Sequence, residues 1–127
     1  MAATLSSDEL YRRACNPLAV TITAIVCAFN EARHLPACLH SLLAQTRPPD
    51  EILVINNAST DETAAVARAI PGVRVIDEPI KGLVVARETA RCVARGEVLA
   101  YVDADCRAPL RWLERVEQQM LSPTAPV

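Results

Sequence analysis

The chain has 127 residues, of which 51% are hydrophobic, 22% charged and 3% aromatic, and its formal net charge is −2. These values predict one folded domain with an aliphatic core and exclude an intrinsically disordered chain. The negative charge and the scarcity of aromatic side chains argue against nucleic acid as a partner, because such proteins need basic surfaces and stacking platforms.

Strands and helices alternate along a predicted domain that spans residues 18–121, between a polar lead-in (1–17) and a tail (122–127). Apolar periodicity, with turns at Pro and Gly, predicts strands over 22–28, 51–56, 73–77 and 97–103, and helices over 35–43, up to 70, 82–94 and 110–121. Ser59 and Glu62 fit a capping box for the second helix. The core-facing residues predicted for the fourth helix are Leu110, Leu113, Val116 and Met120. This order is typical of an α/β fold with a doubly wound, mostly parallel sheet of about four strand–helix units.

The cysteines and the first apolar stretch indicate in which cellular compartment the protein is located. The five cysteines contain no C-x-x-C pair, so the sequence predicts neither a disulfide framework nor a zinc site. The apolar stretch 18–29 is interrupted by Thr21 and Thr23 and is shorter than the ~20 residues of a membrane span, which favours a buried strand. We therefore expect a cytoplasmic chain, with peripheral attachment to a membrane as the alternative.

Polar residues follow three of the predicted strands, at the end where doubly wound sheets bind ligands. They are Asn30-Glu31, Asn56-Asn57 and Asp103-Ala104-Asp105. Because residues i and i+2 point the same way in extended backbone, Asp103 and Asp105 are predicted to face one ligand. Their oxygens suit Mg²⁺ or Mn²⁺, whose shells substrate phosphates often complete. A solvated turn in which an Asp caps a helix is the alternative reading of this pair.

Two cations and two amides are further candidates for ligand contacts. Lys81, the only lysine, precedes Gly82 at a predicted helix start, where it can approach a diphosphate. Arg87 shares a helix face with Arg91 and Arg95, and is the one nearest the ligand-binding edge of the sheet. The amides of Asn56 and Asn57 offer both a donor and an acceptor to a base edge.

Taken in order, several segments resemble the motifs of family 2 glycosyltransferases. They are residues 26–31 and 56–61, the pairs Lys81-Gly82 and Ala86-Arg87, and Asp103-Ala104-Asp105. The resemblance implies the GT-A fold and the inverting transfer of a sugar from a nucleotide-diphosphate sugar donor to an unknown sugar, lipid or protein acceptor. The nucleotide-sugar-binding residues that it implies are Ala28, Phe29, Asn30, Glu31, Asn56, Asn57, Lys81, Arg87, Asp103 and Ala104. It implies Asp103 and Asp105 as ligands of Mg²⁺ or Mn²⁺, and Asn56 as the residue that meets the base.

The chain departs from the family at several points. The family usually has Pro at the position of Cys27, Asp at that of Asn56, and Asn where Glu88 follows Arg87. Its acceptor-binding half and its general base lie beyond the D-x-D, and no residue up to Val127 is nominated as that base, so the catalytic residue is unknown. We expect little sugar transfer by this chain alone, and self-association through an uncovered sheet.

Two other functions stay open on the sequence. One is a catalytically silent module that holds a nucleoside diphosphate with a metal. The other is a different α/β protein, such as a nucleotidyltransferase or a receiver domain. A nucleotidyltransferase is disfavoured because the chain has only three glycines and no Gly-rich phosphate loop, and a receiver domain because no acidic pair follows the first strand.

Overall fold

The computed structural model describes residues 20–121 together with Ser7, so most of the predicted lead-in and the whole predicted tail lie outside the described residues. The strands are β1 (Ile22–Ala28), β2 (Glu51–Asn57), β3 (Val73–Glu78) and β4 (Val98–Tyr101). The helices are α1 (Leu35–Leu43), α2 (Thr63–Arg68), α3 (Leu83–Val93) and α4 (Trp112–Leu121). None of the helices in this part of the chain is long and apolar enough to cross a membrane.

The four strands form one sheet in the order β3-β2-β1-β4, and every neighbouring pair is parallel. The chain adds β2 and then β3 on one side of β1, and β4 on the other side. The strand order therefore reverses between β1 and β4, which makes the gap between these two strands the topological switch point of the sheet. The predicted doubly wound, parallel α/β fold is confirmed.

Each face of the sheet packs against helices. On one face, Val26 and Ala28 of β1 and Val54 of β2 pack with Leu35 and Leu39 of α1. The opposite face buries Ile25, Leu53 and Ile55 against Ala86 and Ala90 of α3. Successive side chains of a strand point to opposite faces, so strands covered on both sides read as the unbroken apolar runs seen in the sequence.

The end of β4 differs from the prediction. Regular pairing stops at Tyr101, although the Val102 N–H still donates to the Ile25 carbonyl at 3.0 Å. The Cys106 N–H then donates to the Asp103 carbonyl at 3.0 Å, which closes a turn. Asp103 and Asp105 thus lie in a turn, and the argument from extended backbone was wrong for them.

The inner face of α4 also differs in part. Leu113 is fully buried and Val116 packs beside it, as predicted, but Leu110 and Met120 are 59% and 53% exposed. Leu110 lies in the turn before the helix, where its carbonyl accepts from the Thr46 N–H at 3.0 Å. One turn beyond Leu113, Glu117 accepts from the buried Arg47 at 2.8 Å, so the helix presents the 113–117 stripe inward and leaves Met120 outside.

Candidate functional site

A cavity of about 230 Å³ opens at the carboxyl edge of the sheet, on the side covered by α3. Three chain segments line it: the end of β1, the end of β2 and the start of α3. Its lining is mostly apolar and consists of Cys27, Ala28, Phe29, Asn57, Lys81, Gly82, Leu83 and Ala86. The structure therefore brings four predicted contacts to one cavity, namely Ala28, Phe29, Asn57 and Lys81.

Lys81 and Phe29 meet at this cavity. The Lys81 Nζ lies 4.2 Å from the centroid of the Phe29 ring, a cation–π contact between two exposed side chains. The contact brings an ammonium group and an aromatic face together at the cavity, although the two residues are far apart in sequence.

The two asparagines at the end of β2 face opposite ways. Asn56 is in register with Asp77 of β3, and its Nδ2 donates to the Asp77 carboxylate at 3.0 Å. Arg68 of α2 binds the other oxygen of Asp77 at 2.7 Å, so Asn56 lies on the α1–α2 face. Asn57 points to the α3 face and lines the cavity. Asn56 therefore does not line this cavity, because adjacent strand residues alternate between faces. Its contact with the base stays a prediction.

Asn30 joins the loop after β1 to the loop after β2. Its φ of 51° is in the left-handed region, and its Oδ1 accepts from the Thr60 N–H at 2.7 Å and the Asp61 N–H at 3.2 Å. The Asn30 N–H in turn donates to the Ser59 Oγ at 3.0 Å. The acceptor of the Asn30 side chain is thus used within the protein.

The neighbouring residue and the start of α2 belong to the same network. The Glu31 N–H donates to the Thr63 Oγ1 at 3.0 Å, and the Glu31 carbonyl accepts from the Leu35 N–H at 2.9 Å at the start of α1. Asp61 accepts from the Thr63 N–H at 2.9 Å and from the Thr63 hydroxyl. These bonds hold the pKa of Asp61 below its usual range. The predicted capping box was wrong, because Ser59 bonds to Asn30 and Glu62 makes no capping bond.

The acidic pair after β4 converges despite the turn. One ligand atom from each of Asp103, Asp105 and Cys106 lies within 4.8 Å of the other two, and all three residues are exposed. The two carboxylates offer the oxygen ligands that Mg²⁺ or Mn²⁺ prefers, whereas the thiol is a soft ligand that suits these ions poorly. Ala104, predicted to contact the donor, is only 4% exposed and packs in the α1-side core, so its side chain is not available to a ligand.

Electrostatic effects tie the cavity to the acidic turn. Burial raises the pKa of the Cys27 thiol; the positive charge of Arg87 opposes this shift, and the negative charge of Asp103 adds to it. Cys27 therefore lies within electrostatic range of both the cation of α3 and the first acid after β4. Within residues 20–121, the Arg87 guanidinium makes no hydrogen bond or ion pair, whereas Arg91 is bound by Glu88 at 2.6 Å. Arg87 thus keeps its charge available, although it lines a second pocket with Val84 and Tyr101 and not the cavity itself.

The residues at this edge that the sequence prediction missed are Cys27, Gly82, Leu83 and Ala86 in the cavity wall and Cys106 beside the acids. Cys27 could have been found from strand alternation, because it shares a face with Phe29. The convergence of Cys106 depends on the turn at 103–106, which the sequence did not reveal.

The sequence of the chain matches a known protein family and several of its curated members. The profile of Glycosyl transferase family 2 matches residues 23–125. Glycosyltransferase AglE of Haloferax volcanii is 34% identical over 101 residues, which are 74% of this chain and 33% of that protein. Polypeptide N-acetylgalactosaminyltransferase 6 of Homo sapiens is 37% identical over 117 residues, 84% of this chain and 18% of that protein.

The fold of the chain is also similar to solved structures. The mannosyltransferase PcManGT from Pyrobaculum calidifontis, in complex with GDP-Man and Mn²⁺, superposes with a TM-score of 0.71 at 29% identity and covers 84% of this chain and 34% of that one. S. aureus TarS 1-349, in complex with UDP-GlcNAc, has a TM-score of 0.70 at 23% identity over 79% of this chain and 31% of its own, a likeness of fold.

The family assignment rests on three agreeing observations. The family profile covers most of the chain, several relatives exceed 30% identity over two thirds of it or more, and the parallel sheet superposes on glycosyltransferases. The chain spans about a third of the length of AglE and less of the human relative. On this basis, the chain belongs to glycosyltransferase family 2.

Proposed function

We propose that this chain binds the nucleoside-diphosphate part of a nucleotide-sugar donor, and that the protein transfers the sugar to an acceptor hydroxyl. One observation carries the proposal: a mostly apolar cavity, with Lys81 in its wall, and a convergent acidic turn lie at the carboxyl ends of β1 and β4, the strands that flank the switch point. Ligands of doubly wound sheets bind at this position.

The cavity supports binding of a nucleoside with its phosphates. Its apolar wall suits the faces of a base or a ribose, and the ring of Phe29 is a surface for stacking. Lys81 and Arg87 supply positive charge for a diphosphate, a role in which charge-assisted hydrogen bonds are strong. PcManGT is described with GDP-Man and TarS with UDP-GlcNAc, so neither the base nor the sugar of this chain's donor is fixed by these relatives.

The acidic turn supports a divalent cation, Mg²⁺ or Mn²⁺, at Asp103 and Asp105. Hard carboxylate oxygens on two residues two positions apart match such an ion, which leaves room in its shell for phosphate oxygens and water. When bound, such an ion would neutralise charge on the departing nucleoside diphosphate. In the transfer itself, the acceptor oxygen bonds to the anomeric carbon as the bond from that carbon to the diphosphate oxygen breaks, and the hydroxyl proton passes to a general base that none of the residues described above supplies.

Calorimetric titration with UDP, GDP and dTDP, with and without Mn²⁺, tests the proposal. We expect one of the three to bind with Mn²⁺ present. Asp105→Ala should weaken that binding by at least about tenfold, because it removes a ligand of the metal, and even changes to the residues that support metal ligands cost about 10–100-fold. Glu114→Gln is the matched control, because it neutralises a carboxylate on α4 that binds Thr46, beyond the end of α1. It should bind like the wild type.

Failure of all three nucleotides to bind the folded wild-type chain would refute the proposal. Equal affinities with and without Mn²⁺ would refute its metal part only. Turnover of a UDP- or GDP-sugar then separates a transferring protein from a silent binding module, since the module would hold the nucleotide and release no sugar.

A further inference from the structure

The side-chain amide of Asn57 makes its hydrogen bonds with the loop between β3 and α3. Its Nδ2 donates to the Ile80 carbonyl at 2.7 Å and to the Glu78 carbonyl at 3.3 Å, while its Oδ1 accepts from the Gly82 N–H at 2.9 Å. Two carbonyls on one side and an N–H on the other fix which end of the amide is which. Asn57 itself is only 4% exposed.

The loop that Asn57 holds carries Lys81. Residues 79–82 have no regular secondary structure, and Ile80 is 64% exposed, so side-chain packing contributes little to holding the loop. Gly82 has a φ of +147°, a backbone conformation that residues other than glycine rarely adopt. The three bonds from Asn57 bind the residues on both sides of Lys81, whose Nζ stands over Phe29 at the cavity.

The chemistry of this position requires an amide. Both groups facing the Nδ2 are acceptors, so a carboxylate there would place negative charge against two carbonyl oxygens and lose both donated bonds. Both donors of the Asn57 amide are used, and its oxygen already has one partner. The amide therefore has little left with which to read the edge of a base.

We propose that Asn57 is a positioning residue that sets Lys81 at the cavity for the donor's diphosphate, and that it does not read the base. This inference rests on the function proposed above. It differs from the sequence expectation that the asparagines after β2 contact the base, since it makes the phosphates, not the base, the part of the ligand that depends on Asn57.

Comparing a nucleoside with its diphosphate separates the two roles. In the experiment, uridine and UDP, or guanosine and GDP, are titrated with Mn²⁺ against the wild type, Asn57→Asp, Lys81→Ala and the double variant. We expect Asn57→Asp and Lys81→Ala each to weaken the diphosphate about tenfold and the nucleoside less than twofold. The double variant should bind the diphosphate no more weakly than the single variant with the lower affinity, because both changes remove the same contact.

Several results would overturn the inference. They are an equal loss of nucleoside and diphosphate affinity in Asn57→Asp, unchanged affinity for both, or additive losses in the double variant. If Asn57→Asp does not fold, Asn57→Ser takes its place. The shorter serine side chain also loses the hydrogen bonds to the loop, but it buries no charge, and the same results would overturn the inference. Wild-type protein that binds no diphosphate refutes the proposed function instead, which keeps the two failures distinguishable.

Discussion

Glu114 on α4 is held as an anion by its neighbours. Arg111 donates to it from two nitrogens, at 2.9 and 3.0 Å, and the Thr46 hydroxyl donates at 2.9 Å. These hydrogen bonds, with that from Arg111 the larger effect, lower the pKa of Glu114 from 4.5 to about 2. The Thr46 bond joins α4 to the segment after α1, whereas the Arg111 bonds are local to the start of α4.

We predict that acid weakens the fold partly through Glu114. A carboxyl with a lowered pKa in the folded state stabilises that state above its unfolded pKa, and this contribution disappears as the pH falls from about 4.5 towards about 2. Glu114→Gln should therefore lose less stability than the wild type over this range. Urea unfolding at a series of pH values measures the difference.

A comparison carboxylate is available for this prediction. Glu62 is exposed and makes no capping bond at α2, so Glu62→Gln should keep the acid dependence of the wild type. Parallel curves for Glu114→Gln and the wild type would show that the Arg111 and Thr46 contacts do not stabilise the fold.

The connection between α3 and β4 depends on close contact at Gly96. Its N–H donates to the buried Thr23 Oγ1 at 2.9 Å. A Cβ at this position would lie 2.6 Å from the Thr23 backbone nitrogen and 3.0 Å from the Ile22 carbonyl carbon. Because these are backbone atoms of the central strand, they cannot move aside without disturbing the sheet.

We predict that Gly96→Ala destabilises the protein by about 2–3 kcal/mol, the upper part of the range for overpacked sites. Gly72→Ala is the control, since its φ of +84° carries a conformational penalty but nothing lies within 4 Å of the added Cβ. That change should cost about 1 kcal/mol. Chemical denaturation measures both, and equal losses would contradict a steric role for Gly96.

Elements with strong periodicity were predictable from the sequence, whereas loops were not. The apolar runs of β1 and β2 and the stripe from Leu35 to Leu43 gave these elements within one residue of their observed bounds. That Asn57 lines the cavity and Asn56 does not depends on strand parity, which only the observed packing settles. The turn at 103–106 and the network around Asn30 depend on contacts between distant segments, and local pattern does not encode them.

At the scale of the whole molecule, β4 pairs within residues 20–121 only with β1. Its outer edge and the nearby exposed side chains of Val84 and Tyr101, 81% and 39% exposed, offer unpaired backbone groups and apolar surface. Such edges tend to associate.

We therefore still predict self-association of this chain, and sedimentation velocity over a range of concentrations measures it. The sedimentation coefficient should rise with concentration, and Val84→Glu should reduce that rise, because a charge at this position opposes burial. A monodisperse monomer at every concentration would contradict the prediction. Association that is unchanged in Val84→Glu would place the contact elsewhere.

The network around Asn30 also has a consequence for conformational entropy. Three consecutive amides, those of Asn30, Glu31 and Ala32, donate to side chains in the loop after β2 and at the first residue of α2. Folding has thus already restricted the backbone of both loops before any ligand arrives. A ligand that binds at this edge does not have to order them, so more of its contact energy is available as affinity.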